Sequence, residues 1–255
     1  MTERSLEGRV AIITGGAGAI GRATAARLAR AGAKVAVADI RGDAAAHAAE
    51  KLTAEGLIAK AFAVDLAEES QIVRLAQDVV GAFGRIDILH NNAAAGGGVL
   101  DADKTLLELT AETWDKAFAV NVRGPMLLAK AVVPHMLAQG GGVIINTSTG
   151  ASEMPAEDAR IAYGSSKAAL NTLTRYIAAQ YGPKNIRCNA VLPGVVMTKG
   201  MEKLFGQAAL DVMNARSMLR RGCTPDDIAA MVHFLVSDDA QQITGELFRV
   251  NAGRA

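Results

Sequence analysis

The segment Tyr163-Gly-Ser-Ser-Lys167 sets a phenol and an ammonium four residues apart, and on a helix such residues share a face. A tyrosine titrates near 10, too high for a good base at neutral pH. A cation about 4 Å away contributes about 4 kcal/mol at an effective dielectric of about 20, enough to bring the phenol toward neutral titration. Such a pair can carry a proton to and from a hydroxyl oxygen. Pairs of this spacing also occur on solvated helix faces, so the chemistry depends on what else the chain supplies.

A second constellation is Thr14-Gly15-Gly16-Ala17-Gly18-Ala19-Ile20-Gly21, which leads from an apolar run into a helical pattern. Glycines there permit a tight turn and close backbone approach to a pyrophosphate, and the helix N-terminus adds unpaired N–H donors. The string fits two registers. Gly16-x-Gly18-x-x-Gly21 is the general dinucleotide fingerprint, whereas Thr14, Gly15, Ala19 and Gly21 fit Thr-Gly-x-x-x-[Ala/Gly]-x-Gly. Asp39 closes the second apolar run, followed by Ile40. A carboxylate at that point accepts ribose hydroxyls and repels a 2′-phosphate, which favours NAD over NADP. Arg41, two residues on, partly offsets that repulsion. Asp65, beside Leu66 at the end of the third run, is placed to bond an adenine amino group.

The elements that must position these groups alternate. Arg9–Thr14, Lys34–Asp39, Ala59–Asp65, Ile86–Asn91, Gly142–Thr147, Ile186–Leu192 and Leu247–Val250 read as strands. Most are continuous apolar runs, as in strands covered on both faces. Helical patterns occupy Ile20–Ala31, Asp43–Glu55, Glu68–Phe83, Ala111–Gln139, Ala159–Tyr181 and Pro225–Ser237. The alternation predicts an α/β, Rossmann-type, doubly wound parallel sheet of about seven strands with helices on both faces. No linker or repeat divides residues 1–255, so the reading is one domain. The irregular segments near 94–110 and 197–224 leave strand ends, where such folds bind ligands, and are the expected substrate loops.

Further motifs fall at the same ends. They are Asn91-Asn92-Ala93-Ala94, Asn121-Val-Arg-Gly124, Asn146-Thr-Ser148-Thr149 and Pro193-Gly194-Val-Val-Met-Thr198, with a closing Thr244-Gly245 turn. With Tyr163 and Lys167, this order resembles the short-chain dehydrogenase/reductase family in its compact single-domain branch, over essentially the whole chain. The resemblance implies an NAD-dependent oxidoreductase acting on secondary alcohols or ketones. Tyr163 would be the general acid/base, Lys167 would lower its pKa and hold the nicotinamide ribose, and Asn121 would support a water relay. A strand-end hydroxyl, Ser148 or Thr149, would hold the substrate oxygen. Gly15, Ala17, Gly18, Ala19, Ile20, Gly21, Asp39, Ile40, Asp65, Leu66, Asn92, Ala93, Ala94, Pro193 and Gly194 would line the cofactor. Thr198 and the Val196 backbone would hold its carboxamide. The chain departs from the family pattern at Ala19 and Ala94, where glycine is usual, and the distance from either hydroxyl to Tyr163 is longer than usual.

Composition narrows the rest. Lys plus Arg number 27 against 26 Asp plus Glu, a net charge of +1 that leaves no electrostatic footprint for nucleic acid or an anionic membrane. No apolar run approaches the ~18 residues of a spanning helix, and the start of the chain does not read as a signal peptide. Cys188 and Cys223 form no CxxC, and His47, His90, His135 and His233 are scattered, so no metal site is expected and a reducing cytoplasm is. Met197, Met201, Leu204, Phe205, Leu210, Val212, Met213, Met218 and Leu219 either cover an apolar substrate or pack the loop onto the core. Arg216, Arg220 and Arg221 either meet an acidic group or form a solvated face. The resemblance also implies a homotetramer or homodimer. The competing readings are a non-redox relative, an epimerase or dehydratase, and a catalytically silent NAD sensor.

Overall fold

The structure, a computed structural model, describes residues 5–96, 98–154 and 160–253. Its strands are β1 (Val10–Thr14), β2 (Lys34–Asp39), β3 (Ala59–Ala63), β4 (Ile88–Asn91), β5 (Gly142–Thr147), β6 (Ile186–Pro193) and β7 (Leu247–Val250). All pair in parallel in the order β3-β2-β1-β4-β5-β6-β7. The chain reverses direction across the sheet between β3 and β4. This puts a crevice at the C-terminal ends of β1 and β4, where ligands of such sheets bind.

The helices are α1 (Ala19–Arg30), α2 (Gly42–Ala54), α3 (Glu69–Phe83), α4 (Gly98–Ala102), α5 (Ala111–Phe118), α6 (Gly124–Ala138), α7 (Ile161–Tyr181), α8 (Lys199–Phe205), α9 (Gln207–Ala215) and α10 (Pro225–Val236). Alternate strand residues feed two cores. Ile13, Val37, Ile145 and Val191 pack with Leu28 of α1, Leu52 of α2 and Val232 of α10. Ile12, Ala38, Leu89 and Ile144 pack with Ile72 of α3, Leu128 of α6 and Ile177 of α7. Each fully buried aliphatic side chain of this kind contributes about 1.5–3 kcal/mol of burial, which fixes the strands that carry the site. Among the described residues no helix is long and apolar enough to cross a membrane.

The strand assignments hold to within about two residues. The expected long helix 111–139 is instead interrupted: a π-helical turn, Ala119–Arg123, separates α5 from α6. The expected loop 94–110 carries α4, and 197–224 carries α8 and α9. Of the expected helix 159–181, Ala159 lies outside the described residues and α7 begins at Ile161. Gly97 of the first loop lies outside them too.

Candidate active site

The turn after β1 is built by close approach. Gly15 has φ +61°, and a Cβ there would sit 2.9 Å from the Cα of Ala93. A Cβ on Gly21 would sit 2.2 Å from the Gly15 carbonyl oxygen, so only glycine lets α1 start this close to β1. Gly18 precedes α1 with no side chain capping the helix, which leaves first-turn N–H groups for an anion. Thr14 Oγ1 accepts the N–H groups of Asn92 (3.0 Å) and Ala93 (3.1 Å) and so ties the β4 exit to this turn. The Asn92 amide donates to the carbonyls of Thr14 (3.0 Å) and Gly15 (3.3 Å). That side chain therefore shapes the turn instead of reaching outward.

Asp39 is 5% exposed. One carboxylate oxygen accepts the Ala17 N–H at 3.0 Å, and the other accepts Arg41 through its N–H at 3.0 Å and its Nε at 3.3 Å. A carboxylate has about four acceptor positions, so Asp39 orders the turn and keeps capacity for another donor. Ile40 stands 66% exposed beside it, an apolar face suited to a flat base. Asp65 Oδ1 accepts the Ala67 N–H at 2.8 Å, and Leu66 is buried in the core. A glycine turn, an uncapped helix start and a strand-end carboxylate together fit a dinucleotide.

On the other side of the crevice, Lys167 is 1% exposed and donates from Nζ to the Thr147 carbonyl at 2.8 Å. Its ammonium is 6.0 Å from the centre of the Tyr163 ring. Burial pushes the lysine down to about 8. Burial also pushes the Tyr163 phenol up, opposed by a hydrogen bond with Thr149 and by the charge of Arg160. Desolvation penalises whichever form is charged, so the phenol of the protein alone holds its proton at neutral pH.

The two candidate hydroxyls part company here. The Thr149 hydroxyl acts on the Tyr163 phenol and holds it down against burial, besides accepting the Ala151 N–H at 3.3 Å. Ser148 is 2% exposed and turned inward, toward the Lys167 carbonyl (3.3 Å) and Ser152 Oγ (3.4 Å). Asn121 sits in the π-helical turn, wholly buried. Its side chain accepts the Ala95 N–H at 2.8 Å and donates to Ser166 Oγ at 3.0 Å. Ser166 precedes Lys167, so the turn joins the β4 loop to the helix carrying the pair. Ala94 itself is exposed.

Beyond β6, Val196 bridges Cys223: the Cys223 N–H donates to Val195 O and the Met197 N–H to Cys223 O. A parallel bridge uses the neighbours of Val196, so its own N–H and C=O point the opposite way. Gly194 passes Asn251 so closely that a Cβ would lie 2.8 Å from its Cα. Thr198 caps α8, accepting the Met201 N–H at 3.1 Å. The apolar residues of this loop divide: Leu210 is wholly buried, whereas Val212, Met218 and Leu219 are exposed.

Three contributors carry no sequence motif. His90, wholly buried, meets Thr147 Oγ1 through Nε2 at 2.8 Å, and burial followed by the Lys167 charge pushes it down to about 3. Asp103, 6% exposed, accepts the N–H groups of Ala162 (3.0 Å) and Tyr163 (2.8 Å) and so caps α7 from the first substrate loop. Arg160 lies at the start of the same helix. Only the parity of His90 on β4, facing Thr147 across β5, was open to reading in advance.

The comparisons agree with this geometry. A family model described as enoyl-(acyl carrier protein) reductase matches residues 15–255. The chain is 40% identical over 255 residues to a 7α-hydroxysteroid dehydrogenase of Clostridium sardiniense, covering 99% of this chain and 95% of that protein. It is 39% identical over 247 residues to a probable short-chain type dehydrogenase/reductase of Bradyrhizobium diazoefficiens, covering 97% and 87%. Among solved structures, a 7α-hydroxysteroid dehydrogenase complexed with NADH and 7-oxo glycochenodeoxycholic acid matches at a TM-score of 0.92 and 32% identity, over 99% of this chain and 97% of that one. Fold, site and relatives converge: this chain belongs to the short-chain dehydrogenase/reductase family and is an oxidoreductase that works with a nicotinamide cofactor on alcohols and ketones.

Proposed function

We propose that the protein is an NAD-preferring secondary-alcohol dehydrogenase and ketone reductase in which Tyr163 is the general acid/base. The observation that carries this reading is the buried ammonium of Lys167 beside the Tyr163 ring, with the Thr149 hydroxyl acting on the same phenol. When bound, the nicotinamide supplies the hydride donor or acceptor. Tyr163, protonated at neutral pH, gives its proton to a carbonyl oxygen as that oxygen gains charge, and takes it back in oxidation. Thr149, rather than Ser148, steadies the same oxygen by a hydrogen bond. Lys167, anchored on Thr147, reprotonates and positions the phenol, and Asn121 holds the turn behind it.

Gly15, Gly18, Ala19, Ile20 and Gly21 cradle the pyrophosphate, with Ala17 held in place by Asp39. Asp39 and Ile40 receive the adenosine, with Asp65 and Leu66 at its far edge. Asn92, Ala93 and Ala94 line the path to the reaction centre, and Pro193, Gly194, Val196 and Thr198 hold the carboxamide end. The preference for NAD rests on the buried Asp39 carboxylate at the ribose position. The loops 94–110 and 197–224 enclose a substrate with an apolar body, a reading supported by relatives named for hydroxysteroids. Exposed Met126, Leu137 and Tyr176 on α6 and α7 suit pairing with a second copy in a homodimer or homotetramer, in a cytoplasmic setting.

The test is a panel of secondary alcohols and ketones followed by NADH absorbance, with NADPH alongside. Turnover with NADH ahead of NADPH is the expected result. Binding of nucleotide without turnover of any member would favour a sensor, and binding of neither nucleotide would overturn the reading.

A further inference from the structure

Arg160 occupies a position that the reaction described so far does not use. It precedes α7 by one residue and makes no cap with its side chain, because Asp103 already takes the Ala162 and Tyr163 N–H groups with its two carboxylate oxygens. The Arg160 side chain instead runs between the two substrate loops. Its Nε donates to the Leu100 carbonyl of α4 at 2.9 Å, and its guanidinium carbon lies 5.8 Å from the centre of the Phe205 ring of α8. Tyr163 is one helical turn further on, and the arginine's charge is felt at its phenol. Arg160 thus touches both substrate loops at the end of the helix that presents the reacting group.

Among the described residues, which do not include Glu157 and Asp158, Arg160 pairs with no carboxylate. Arg160 shares this with other arginines of the chain, but it alone among them lies against both substrate loops, and among the described residues Nε carries its one hydrogen bond. A guanidinium has five N–H donors in a fixed fork, so four remain for something that enters between the loops. The side chain is also only partly exposed, where an unpaired charge is less well solvated than at the surface. The fork matches a carboxylate with two parallel hydrogen bonds.

We propose that Arg160 is a specificity-determining residue that receives a carboxylate of the substrate, making the preferred substrates oxo acids and their hydroxy-acid counterparts. Arg160 stands just before the helix that carries Tyr163 and its charge reaches the phenol, so the carboxylate and the carbonyl that Tyr163 serves belong to one short oxo acid. The Phe205 ring, with its centre 5.8 Å from the guanidinium carbon, adds a cation–π neighbour. The proposal rests on the oxidoreductase reading above and adds the charge of the substrate to it.

The test compares 3-oxobutanoate, 4-oxopentanoate and 5-oxohexanoate with their methyl esters, which keep the ketone and remove the charge. Reduction is followed by NADH absorbance in the wild type, Arg160→Gln and Arg160→Lys. In the wild type at least one acid is favoured over its ester by about 10- to 100-fold in kcat/KM, the range of a charge-assisted pair. Arg160→Gln brings that ratio close to one, chiefly by raising KM for the acid, and Arg160→Lys keeps part of it. If Arg160→Gln slows acid and ester by the same factor, the residue only braces the loops and the proposal fails. It fails as well if the wild type reduces esters as readily as every acid. If the wild type reduces neither acids, esters nor simple ketones, the oxidoreductase reading falls and takes the proposal with it.

Discussion

The two banks of the crevice are made by different means. The cofactor bank, from β1 to β3, is shaped by backbone: glycines that admit no Cβ, N–H groups left uncapped, and one carboxylate that orders the turn. The catalytic bank, from β4 to β6, is shaped by buried polar side chains that lean on one another across distant segments. Lys167 rests on Thr147, Thr147 on His90, Asn121 on Ala95 and Ser166, and the start of α7 on Asp103. A backbone cradle is local in sequence, whereas a side-chain network is assembled by the sheet. The first is therefore written as a motif, and the second appears only when strands are placed side by side.

That contrast can be broken by substitutions, beginning with the cradle. Gly21→Ala adds a Cβ 2.2 Å from the Gly15 carbonyl oxygen, so the turn must open and the helix N-terminus withdraw. NADH affinity should fall by more than about 100-fold, equal to more than about 2.7 kcal/mol, as measured by titration of the purified variant. An affinity within threefold of wild type would mean that the turn is not the cradle.

Across the crevice, the paired hydroxyls give a smaller and more discriminating effect. Thr149→Ala should lower kcat by about 100-fold, in the range for loss of one oxyanion donor, with little change in nucleotide affinity. Ser148→Ala, which loses only inward contacts, should cost less than about fivefold. The reverse order would return the role to Ser148.

The network itself can be read by acid. His90 titrates at about 3 when folded and near 6.5 when unfolded, so its folded pKa is depressed. Between those values the unfolded chain binds a proton that the folded chain refuses, so stability is lost as the pH is lowered, by about 1.4 kcal/mol per pH unit. His90→Gln keeps a hydrogen-bonding side chain without that titration. Urea midpoints taken from pH 7 to 4 should show the wild type losing stability more steeply than the variant by about that slope. Parallel slopes would show that His90 is not held neutral.

The same contrast explains what could be read from the sequence. Apolar runs such as Val143–Ile145 gave β5, and the string from Thr14 to Gly21 gave the turn, because in both cases the determining residues are neighbours. The break in the helix at Asn121 was hidden. Apolar spacing continues through Ala111–Gln139, and the π-helical turn is stabilised by Ala95 and Ser166, which lie far away in sequence. Asp103 and Arg160 went unread for the same reason, since one caps and the other braces elements that only the fold brings near. The choice between Ser148 and Thr149 needed the orientation of the strand end, which spacing to Tyr163 does not encode. Four-residue spacing also says nothing of burial, which here acts on both Tyr163 and Lys167 against ionisation.

The most direct test of the account is Tyr163→Phe, which removes one oxygen and keeps the ring. With a ketone that the wild type reduces, kcat should drop by at least about 10³-fold, within the range for loss of a general acid, while NADH affinity stays within about threefold. A variant that binds NADH and turns over within tenfold of wild type would contradict the central claim that Tyr163 carries the proton.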